Sequence, residues 1–406
     1  MNGVRAAQHD LDRRGLGVLG LGHLCVDLCQ GAVPALLPFL ASRRGYSYAE
    51  LGALVLAATI ASSVIQPLFG LLSDRSARAW LMPSGVLLGG VGVALVGVLP
   101  EFEATAAAIA LSGVGVAAFH PEGARFANLV SGSRRGRGMS LFSVGGNAGL
   151  ALGPVLTTPL VLAFGLPGTL GLVVLPLLAA AVILWDLPRL QAPGGTAHTA
   201  ATVAATGTDA WGPFSRLGAV ISLRTGIYFG LQTFVPAYFV TQFATSEAAG
   251  NVALTAMLVA GAVGTLVGGV LTDRLGARAV LVGSLAVALP LLVAFPLTGR
   301  TPATVLLAGV GFVTIASFSV TVVLGQEYLP NRLGLAAGVT LGLSIGLGGV
   351  AAAVLGLVAD AYDLETVMWI IAALPVPALA LALTLPRVRR EARALTAPPR
   401  AEVAAR

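Results

Sequence analysis

Several ionisable side chains lie inside long apolar stretches of this chain, where a charge is energetically expensive. His23 and Asp27 stand four residues apart in one such stretch, so they share one face of a helix. A buried acid favours its protonated form and ionises when water reaches it. This pair therefore predicts proton coupling or substrate contact, and a structural hydrogen bond from Asp27 to a neighbouring helix is the alternative.

A second polar group follows in the segment Phe119-His120-Pro121-Glu122, with Arg125 three residues further on. Pro121 lacks a backbone donor and is expected to bend its helix, which makes a lipid-facing position for this group unfavourable. We expect His120 and Glu122 to join Asp27 in a proton path, and Arg125 to hold an anion. The alternative is a self-neutralised pair of Glu122 and Arg125 on one helix face.

Four further residues predict a substrate-binding surface. Arg224 lies in an apolar stretch without an acid, and Tyr228 follows one turn later on the same face. We expect its partner to come from another helix or from the substrate, and the alternative is an arginine that extends to the membrane surface. Gln66 and Asn147 are uncharged polar residues in apolar surroundings, and we include them among the predicted substrate-binding residues. Such side chains more often bond a neighbouring helix.

A charged turn that closes an apolar stretch occurs twice, at Asp74 and again 199 positions later at Asp273. Repetition at this distance indicates two like halves. A carboxylate at a helix end, followed at once by arginine, forms a pair that breaks and re-forms as the halves move. The predicted gating residues at these turns and after a later apolar stretch are Asp74, Arg75, Arg78, Asp273, Arg274, Arg278, Glu327 and Arg332.

The composition requires elements that cross a membrane. Of 406 residues, 56% are hydrophobic and 10% are charged, and the mean hydropathy is +0.88. A helix of about 20 apolar residues spans a bilayer core. We predict an all-α membrane protein of twelve transmembrane helices in two pseudo-symmetric six-helix halves. The predicted spans are 16–40, 48–72, 81–99, 104–130, 139–163, 167–186, 216–241, 250–272, 279–298, 302–328, 335–358 and 364–386.

The distribution of arginine predicts the orientation of the chain. All 24 basic residues are arginine, and 19 of them are cytoplasmic if the N-terminus is inside. Both termini are then cytoplasmic. The predicted organisation is a cytoplasmic N-terminus (1–15), an N-terminal six-helix bundle (16–186), a cytoplasmic linker (187–215), a C-terminal six-helix bundle (216–386) and a basic cytoplasmic tail (387–406).

Signatures of other protein classes are missing from the sequence. It contains no H-E-x-x-H pair, no G-x-S-x-G elbow and no glycine-rich phosphate loop with lysine. We therefore expect no enzyme, no cofactor, no metal and no ATP site. The expected partners are a small-molecule substrate, protons and the lipid bilayer. We expect a monomer that does not bind nucleic acid.

The paired G-x-x-x-D-R turns, twelve spans and central linker resemble the major facilitator superfamily over residues 16–386. The segment from Gly149 to Pro154 resembles the fifth-span motif of drug-proton antiporters, although Thr157 and Thr158 replace its closing glycines. Close helix packing and bending are expected there. The predicted bending positions are Pro121, Gly149, Gly153 and Pro154.

Five segments in order resemble the fosmidomycin resistance protein family of efflux carriers. They are Gly22-His23-Leu24 with Asp27, Gln66-Pro67, Phe119-His120-Pro121-Glu122, Val144-Gly145-Gly146-Asn147 and Gln326-Glu327-Tyr328-Leu329-Pro330. This resemblance implies a proton-driven exporter of the inner membrane. We expect antiport of a drug or an anionic phosphonate-like compound by alternating access. A proton-coupled importer of a sugar or organic anion is the alternative.

Overall fold

The computed structural model describes residues 11–386 except 76–77, 133, 192–207, 333–334, 337–338 and 341–343, and its regular elements are helices. The N-terminal half contains α1 (Arg13–Arg44), α2 (Tyr48–Arg75), α3 (Leu81–Leu95), α4 (Phe102–Val130), α5 (Arg135–Phe164), a 3-10 helix (Leu166–Val173) and α6 (Val174–Leu190). The C-terminal half contains α7 (Trp211–Gln242), α8 (Glu247–Leu275), α9 (Ala277–Ala294), a 3-10 helix (Phe295–Leu297), α10 (Arg300–Ala316), α11 (Phe318–Tyr328), α12 (Ser344–Ala361), α13 (Leu364–Ala373) and α14 (Pro375–Leu383).

These helices confirm the predicted all-α fold with twelve spans. Ten helical segments among the described residues are long and apolar enough to cross a membrane. The third predicted span corresponds to α3, which is apolar but has only 15 residues. The seventh corresponds to α7, which has 32 residues and whose polar side chains, Arg216 and Arg224 among them, lower its mean hydropathy.

Several helix boundaries differ from the predicted spans. The tenth span divides at Ser317, whose hydroxyl donates to the Thr314 carbonyl and competes with the helical backbone bonds. The twelfth divides before Pro375, which has no backbone N–H to continue the helix. Helices α6 and α7 extend into the predicted linker, reaching Leu190 and starting at Trp211. Residues 192–207 of the linker and the tail 387–406 lie outside the described residues.

Local side chains fix where helices begin and end. Asp12 accepts a hydrogen bond of 3.0 Å from the Gly15 amide and starts α1. Gly45 ends that helix with φ +71°, a backbone conformation that glycine adopts without strain. Asp363 starts α13, and the hydrogen bond that it accepts from the Thr366 amide lowers the pKa of its carboxyl. These caps position the loops at the ends of the bundle.

Helices α1 and α5 approach closely because glycine lines their crossing. A Cβ atom at Gly149 would lie 2.0 Å from the Leu24 carbonyl oxygen, and one at Gly153 would lie 2.3 Å from the Gly31 carbonyl carbon. Neither position therefore accepts a larger residue without separating the helices. The segment from Gly149 to Pro154 thus packs closely, as expected, and its partner is α1, while the bending assigned to Gly149, Gly153 and Pro154 stays a prediction.

The two halves are linked at the end of the bundle that carries the α1–α2 turn. The Asp360 carboxylate of α12 accepts hydrogen bonds from the backbone amides of Tyr48 and Ala49, at 2.8 and 2.9 Å. These amides are the unpaired donors at the start of α2, where a negative charge is stabilising. An acid of the C-terminal half thus caps a helix of the N-terminal half.

A second link between the halves joins α8 to α1 and α5. The Asn251 amide donates to the Ala35 carbonyl at 3.0 Å and to the Thr158 hydroxyl at 2.9 Å. Nearby, the Ser42 hydroxyl donates to Glu247 at 2.8 Å. A hydrophobic cluster of the C-terminal half also includes Ala35 and Ala151 of the N-terminal half. The halves therefore meet through both apolar packing and directed hydrogen bonds.

Candidate functional site

Three of the predicted proton-coupling residues meet in one cluster between α1 and α4. The Asp27 carboxylate lies between two imidazole rings, with Oδ2 3.3 Å from His23 Nε2 and Oδ1 3.2 Å from His120 Nε2. Gln30 completes the group, because its amide donates to Asp27 Oδ1 at 3.3 Å. The Asp27 side chain is 17% exposed. The carboxylate is thus largely removed from the surface but held by three polar neighbours.

The helix pattern and a glycine on α5 make room for this cluster. His23, Asp27 and Gln30 recur at four and three residues, so α1 presents them on one face. On α5, a Cβ atom at Gly146 would lie 2.5 Å from both Asp27 Oδ2 and His23 Nε2. Real side-chain contacts do not reach that distance, so the cluster depends on glycine at this position.

Backbone carbonyls determine which ring nitrogen carries a proton. His23 Nδ1 lies 2.8 Å from the Phe142 carbonyl oxygen, and His120 Nδ1 lies 3.0 Å from the Val116 carbonyl oxygen. A carbonyl only accepts, so each Nδ1 carries hydrogen. A neutral ring then presents an unprotonated Nε2 to Asp27. Both imidazoles are therefore oriented to exchange a proton with the carboxylate between them.

The cluster needs two protons to form both of its imidazole–carboxylate contacts. When both rings are neutral and Asp27 is ionised, two nitrogen lone pairs face two carboxylate oxygens and repel them. Each contact becomes a hydrogen bond only when a proton lies between nitrogen and oxygen. The rings face different oxygens of Asp27, which is the geometry of two separate hydrogen bonds. The doubly protonated cluster carries a net charge of +1 and fits the observed contacts.

A proline follows His120 directly on α4. Pro121 cannot donate to the Ala117 carbonyl, which lies beside the Val116 carbonyl that the His120 ring uses. Helix α4 nevertheless continues from Phe102 to Val130. The bend predicted at Pro121 stays a prediction, whereas the contact of His120 with Asp27 brings two distant sequence segments together.

A small cavity lies next to the cluster, between the two halves. Its volume is about 90 Å³, enough for roughly three water molecules. The lining comes from both halves and comprises Gln30, Val33, Pro34, Val55, Ala58, Thr59, Ser62, Ser112, Gly113, Val116, Leu150, Tyr228, Phe229, Gln232, Thr233 and Ile345. A larger groove of about 830 Å³ is lined by α1, α5 and the segments before them, all in one half. The small cavity is therefore the one that movement of the halves would open.

Arg224 lies deep in the C-terminal half, at the break between α10 and α11. Its side chain is buried, with 3% of the residue exposed. Nη1 donates to the Thr314 carbonyl at 3.1 Å, one of the carbonyls released where α10 ends, and the guanidinium lies 5.4 Å from the centre of the Phe318 ring. Nε has no hydrogen-bond partner among the described residues. Arg224 therefore has capacity for an anion.

Tyr228 connects the two charged regions of the site. It is half-buried on α7, lines the cavity, and follows Arg224 by one helical turn. The cluster belongs to the N-terminal half and Arg224 to the C-terminal half. Tyr228 thus lies on the cavity wall, one turn from the buried arginine of its own half and facing the half that carries the cluster.

Glu122 lies apart from the contacts that hold the Asp27 cluster. It is completely buried, its Oε1 accepts from the Arg78 backbone amide at 2.7 Å, and Arg125 approaches the same oxygen at 3.6 Å. These contacts correspond to the predicted alternative, in which Glu122 and Arg125 pair. They tie α4 to the segment that precedes α3, and the proton-path and anion-binding roles of these two residues stay predictions.

The predicted gating residues are spread over the helix ends. The side chains of Asp74 and Arg75, in the last turn of α2, lie outside the described part of the structure. Asp273, Arg274 and Glu327 are exposed, in the last turns of α8 and α11. Arg278 donates to the Leu383 carbonyl, and Arg332 pairs with Asp209 at 3.2 Å. Their gating role stays a prediction.

Of the predicted substrate-binding residues, Tyr228 is part of the described cavity lining, whereas Gln66, Arg125, Asn147 and Arg224 are not, and two residues that were not predicted line the cavity. Gln66 and Asn147 are half-buried on α2 and α5 but are not part of the described lining. Gln30 and Gln232 are part of it. Their spacing was a usable signal, because Gln30 is three residues after Asp27 and Gln232 is four after Tyr228.

A two-half helical membrane bundle with a polar centre defines a membrane transporter, and comparison with known proteins agrees. The sequence model of the family described as Major Facilitator Superfamily matches residues 19–352 and 217–405 of this chain. The chain belongs to this superfamily.

Two curated relatives match most of the chain. The uncharacterized MFS-type transporter YfnC of Bacillus subtilis (strain 168) is 33% identical over 373 residues, covering 88% of this chain and 90% of the relative. The fosmidomycin resistance protein of Escherichia coli (strain K12) is 32% identical over 367 residues, covering 89% of this chain and 90% of the relative. The predicted resemblance to the fosmidomycin resistance protein family is confirmed.

Solved transporters share the fold. A bacterial homologue of the human lysosomal transporter Spinster, in an inward-facing and occupied conformation, has a TM-score of 0.76 at 14% identity, covering 92% of this chain and 96% of that one. The nucleoside transporter NupG has a TM-score of 0.70 at 17% identity, covering 93% and 100%. At these identities the likeness concerns the fold alone.

Proposed function

We propose that this transporter exports a small anionic, phosphonate-like molecule in exchange for protons, by alternating access of its central cavity. The termini lie in the cytoplasm, and the membrane is the cytoplasmic membrane. The observation that carries the proposal is Asp27 held between two histidines beside a cavity shared by both halves. Ionisable groups at this depth are expensive and are characteristic of proton-coupled transport.

In the proposed cycle, the cluster takes up protons from the outer side and releases them to the cytoplasm. Full protonation supplies both hydrogen bonds of Asp27 and holds α1 against α4. Loss of the protons leaves lone pairs facing the carboxylate and weakens this packing. Protonation therefore favours one arrangement of these helices, which is the requirement for coupling a chemical step to a conformational one.

The cargo is proposed to bind with its anionic group at Arg224. The free Nε edge of the buried guanidinium suits the forked hydrogen bonds that phosphonate or carboxylate oxygens accept. The identity of the E. coli relative as a fosmidomycin resistance protein supports this class of cargo and the outward direction. No acid contacts Arg224 among the described residues, so the cargo would supply its counter-charge.

Protons and cargo are proposed to exclude one another through the size of the cavity. About 90 Å³ is far below the roughly 300 Å³ or more that a drug-sized ligand occupies. Cargo binding must therefore widen the cavity, and the proposed motion displaces α1 relative to α4, which pulls His120 away from Asp27 and releases protons. An anion at Arg224 alone would attract protons to the cluster, so proton release on binding tests this exchange.

The test is gradient-driven transport of fosmidomycin by purified protein in liposomes. We expect fosmidomycin to accumulate against its own concentration gradient only when protons flow in the opposite direction. Asp27→Asn should abolish this accumulation, although the variant still inserts into the membrane. Asp363→Asn removes a carboxylate outside the membrane spans and should transport normally. A weakly buffered sample with a pH indicator should also show acidification when fosmidomycin binds.

The opposite results separate the rival function. Proton uptake when fosmidomycin binds would identify a proton-coupled importer. Accumulation of fosmidomycin in the same direction as proton flow would identify it as well. Normal gradient-driven transport by Asp27→Asn would remove the cluster from coupling.

A further inference from the structure

The groove of about 830 Å³ runs between the starting halves of α1 and α5, apart from the cavity that the two halves share. Its charged lining residues are three arginines, and no carboxylate is part of the described lining. The remaining lining residues are leucine, valine, alanine or glycine. The full lining comprises Leu11, Arg13, Leu16, Gly17, Gly20, Leu21, Leu24, Arg134, Arg137, Leu141, Val144, Gly145 and Ala148.

The arginines of the two helices lie at the same end of this groove. A Cβ atom at Gly145 would meet the Gly20 carbonyl oxygen, and one at Gly149, four residues further on, would meet the carbonyl oxygen of Leu24. Equal steps along both helices mean that α1 and α5 run in the same direction. The arginine at the start of α1 is therefore level with the one in the first turn of α5. Both helix N-termini, which carry partial positive charge, add to the attraction for an anion there.

Two of these arginines have no counter-charge within the protein. Arg13 and Arg137 are exposed and are bonded to no residue that the structure describes. Asp12, which precedes Arg13, accepts a hydrogen bond from Arg189 at 3.0 Å and is neutralised by it. The mouth of the groove therefore has capacity for an external anion.

The length of the groove matches one leaflet of a bilayer. Arg13 and Leu24 are eleven positions apart on α1, and Arg137 and Ala148 are eleven positions apart on α5. A helix rises by about 1.5 Å per residue, so each wall is about 16 Å long. Half of a hydrocarbon core of about 30 Å is about 15 Å. The groove thus extends from the membrane surface to the depth that an acyl chain reaches.

Apolar side chains along this length are not covered by the protein. Leu21, Leu141 and Val144 are 36%, 50% and 45% exposed. A small anion would contact the arginines and leave the apolar walls open. An anion that carries a hydrocarbon chain would cover both parts, which is the chemistry of an acidic phospholipid.

We propose that this groove binds an anionic phospholipid, with the phosphate at Arg13 and Arg137 and one acyl chain between α1 and α5. Basic pockets between membrane helices attract acidic headgroups through the same charge complementarity. The lipid belongs to the leaflet on the side where both helices begin. This inference goes beyond the proposed function, because it requires neither a cargo nor a proton gradient.

The test is a lipid titration of the purified protein in a neutral detergent, with bound lipid counted by native mass spectrometry. The probes are phosphatidylglycerol and phosphatidylcholine with identical palmitoyl and oleoyl chains. Each arginine near an acidic headgroup contributes about five-fold, so the wild type should bind phosphatidylglycerol about ten-fold or more tightly than phosphatidylcholine. Arg137→Gln should weaken phosphatidylglycerol binding about five-fold and leave phosphatidylcholine binding unchanged. Arg300→Gln is the charge-matched control, since it removes an exposed arginine outside the groove and should bind both lipids as the wild type does.

A second variant tests the place of the acyl chain. Gly17 lines the groove, and a Cβ atom there would meet no atom within 4 Å, so Gly17→Leu fills the groove without a clash inside the protein. This variant should weaken the binding of both lipids about ten-fold, because methylene groups lose their apolar contacts. Gly283→Leu on α9 is the control, since its Cβ atom also meets no atom and lies outside the groove. Equal binding of both lipids by the wild type, or unchanged binding in Arg137→Gln and Gly17→Leu, would overturn the proposal.

Fosmidomycin tests the competing occupant, a small anion. An excess of fosmidomycin should leave the affinity for phosphatidylglycerol unchanged. Displacement of the lipid by fosmidomycin, together with loss of fosmidomycin binding in Arg137→Gln, would assign the mouth of the groove to cargo and overturn the lipid site.

Discussion

At the scale of single residues, the geometry around Asp27 is governed by a position that has no side chain. Gly146 on α5 faces the gap between His23 and Asp27, and a methyl group there would approach both polar atoms to 2.5 Å. The cluster is therefore defined as much by the space that α5 leaves as by the groups on α1 and α4.

Gly146→Ala should displace Asp27 or His23 and break their contact. Overpacking of a tight site costs about 1–3 kcal/mol, so gradient-driven transport should fall about five-fold or more. The measurement is initial transport rate in liposomes. Gly20→Ala on α1 is the control, because its Cβ would meet no atom within 4 Å. Equal rates for both variants would show that the His23–Asp27 contact is dispensable.

Glu122 allows its two interpretations to be separated by experiment. Glu122→Gln keeps an oxygen that accepts from the Arg78 amide, whereas Glu122→Ala leaves that amide unpaired. We expect the alanine variant to lose about 1–3 kcal/mol of stability and the glutamine variant to lose little, because Arg125 is partly solvated. Thermal unfolding measures this difference. Loss of gradient-driven transport in a stable Glu122→Gln would instead place Glu122 in the proton path.

The sequence was sufficient to predict that His23 and Asp27 lie together, but not all of their partners. His23 and Asp27 share a helix face, so their contact follows from spacing alone. The meeting of Asp27 with His120 depends on the packing of α1 against α4, which no local pattern specifies. Gln232 was missed because an uncharged amide in an apolar stretch most often bonds a neighbouring helix.

At the scale of helices, the ends were harder to predict than the spans. Apolar length identified the twelve spans, because a bilayer imposes that length on every one of them. It did not predict the break at Ser317, since the residues on both sides are apolar. That break exposes the carbonyl that Arg224 caps, so a local irregularity determines where the buried cation lies.

The cap that Asp360 places on α2 makes this helix end sensitive to a single substitution. Asp360→Asn retains one oxygen acceptor for two backbone amides and removes the negative charge at the helix start. We expect this change to destabilise the arrangement in which this end is closed by about 1–2 kcal/mol. Fluorescence energy transfer between dyes on the α1–α2 and α7–α8 turns should show that the ratio of open to closed molecules rises about five-fold or more. Asp363→Asn, on the same loop, should leave the distribution unchanged. An unaltered distribution in both variants would exclude a latch.

At the scale of the whole molecule, the links between the halves and the central site lie at different depths. Asp360, Asn251 and the Ser42–Glu247 pair hold the end with the α1–α2 turn, whereas the Asp27 cluster and its cavity lie between the helices. Motion that opens this end must break those hydrogen bonds together. Because these hydrogen bonds and the apolar contacts beside them lie between the halves, the halves can separate there without disturbing the packing inside either half.

A covalent link across this end should stop transport and preserve the site. Ser42 and Glu247 come from different halves, and their side-chain oxygens are 2.8 Å apart, so Ser42→Cys with Glu247→Cys places two thiols within reach of a short bismaleimide. The native Cys25 and Cys29 are buried and are expected not to react. Cross-linked protein should bind fosmidomycin from the opposite end of the bundle but not transport it, since alternating access requires both ends to open in turn. The single-cysteine variants, treated with the same reagent, should transport normally. Continued transport by the cross-linked double variant would mean that this end does not open during the cycle.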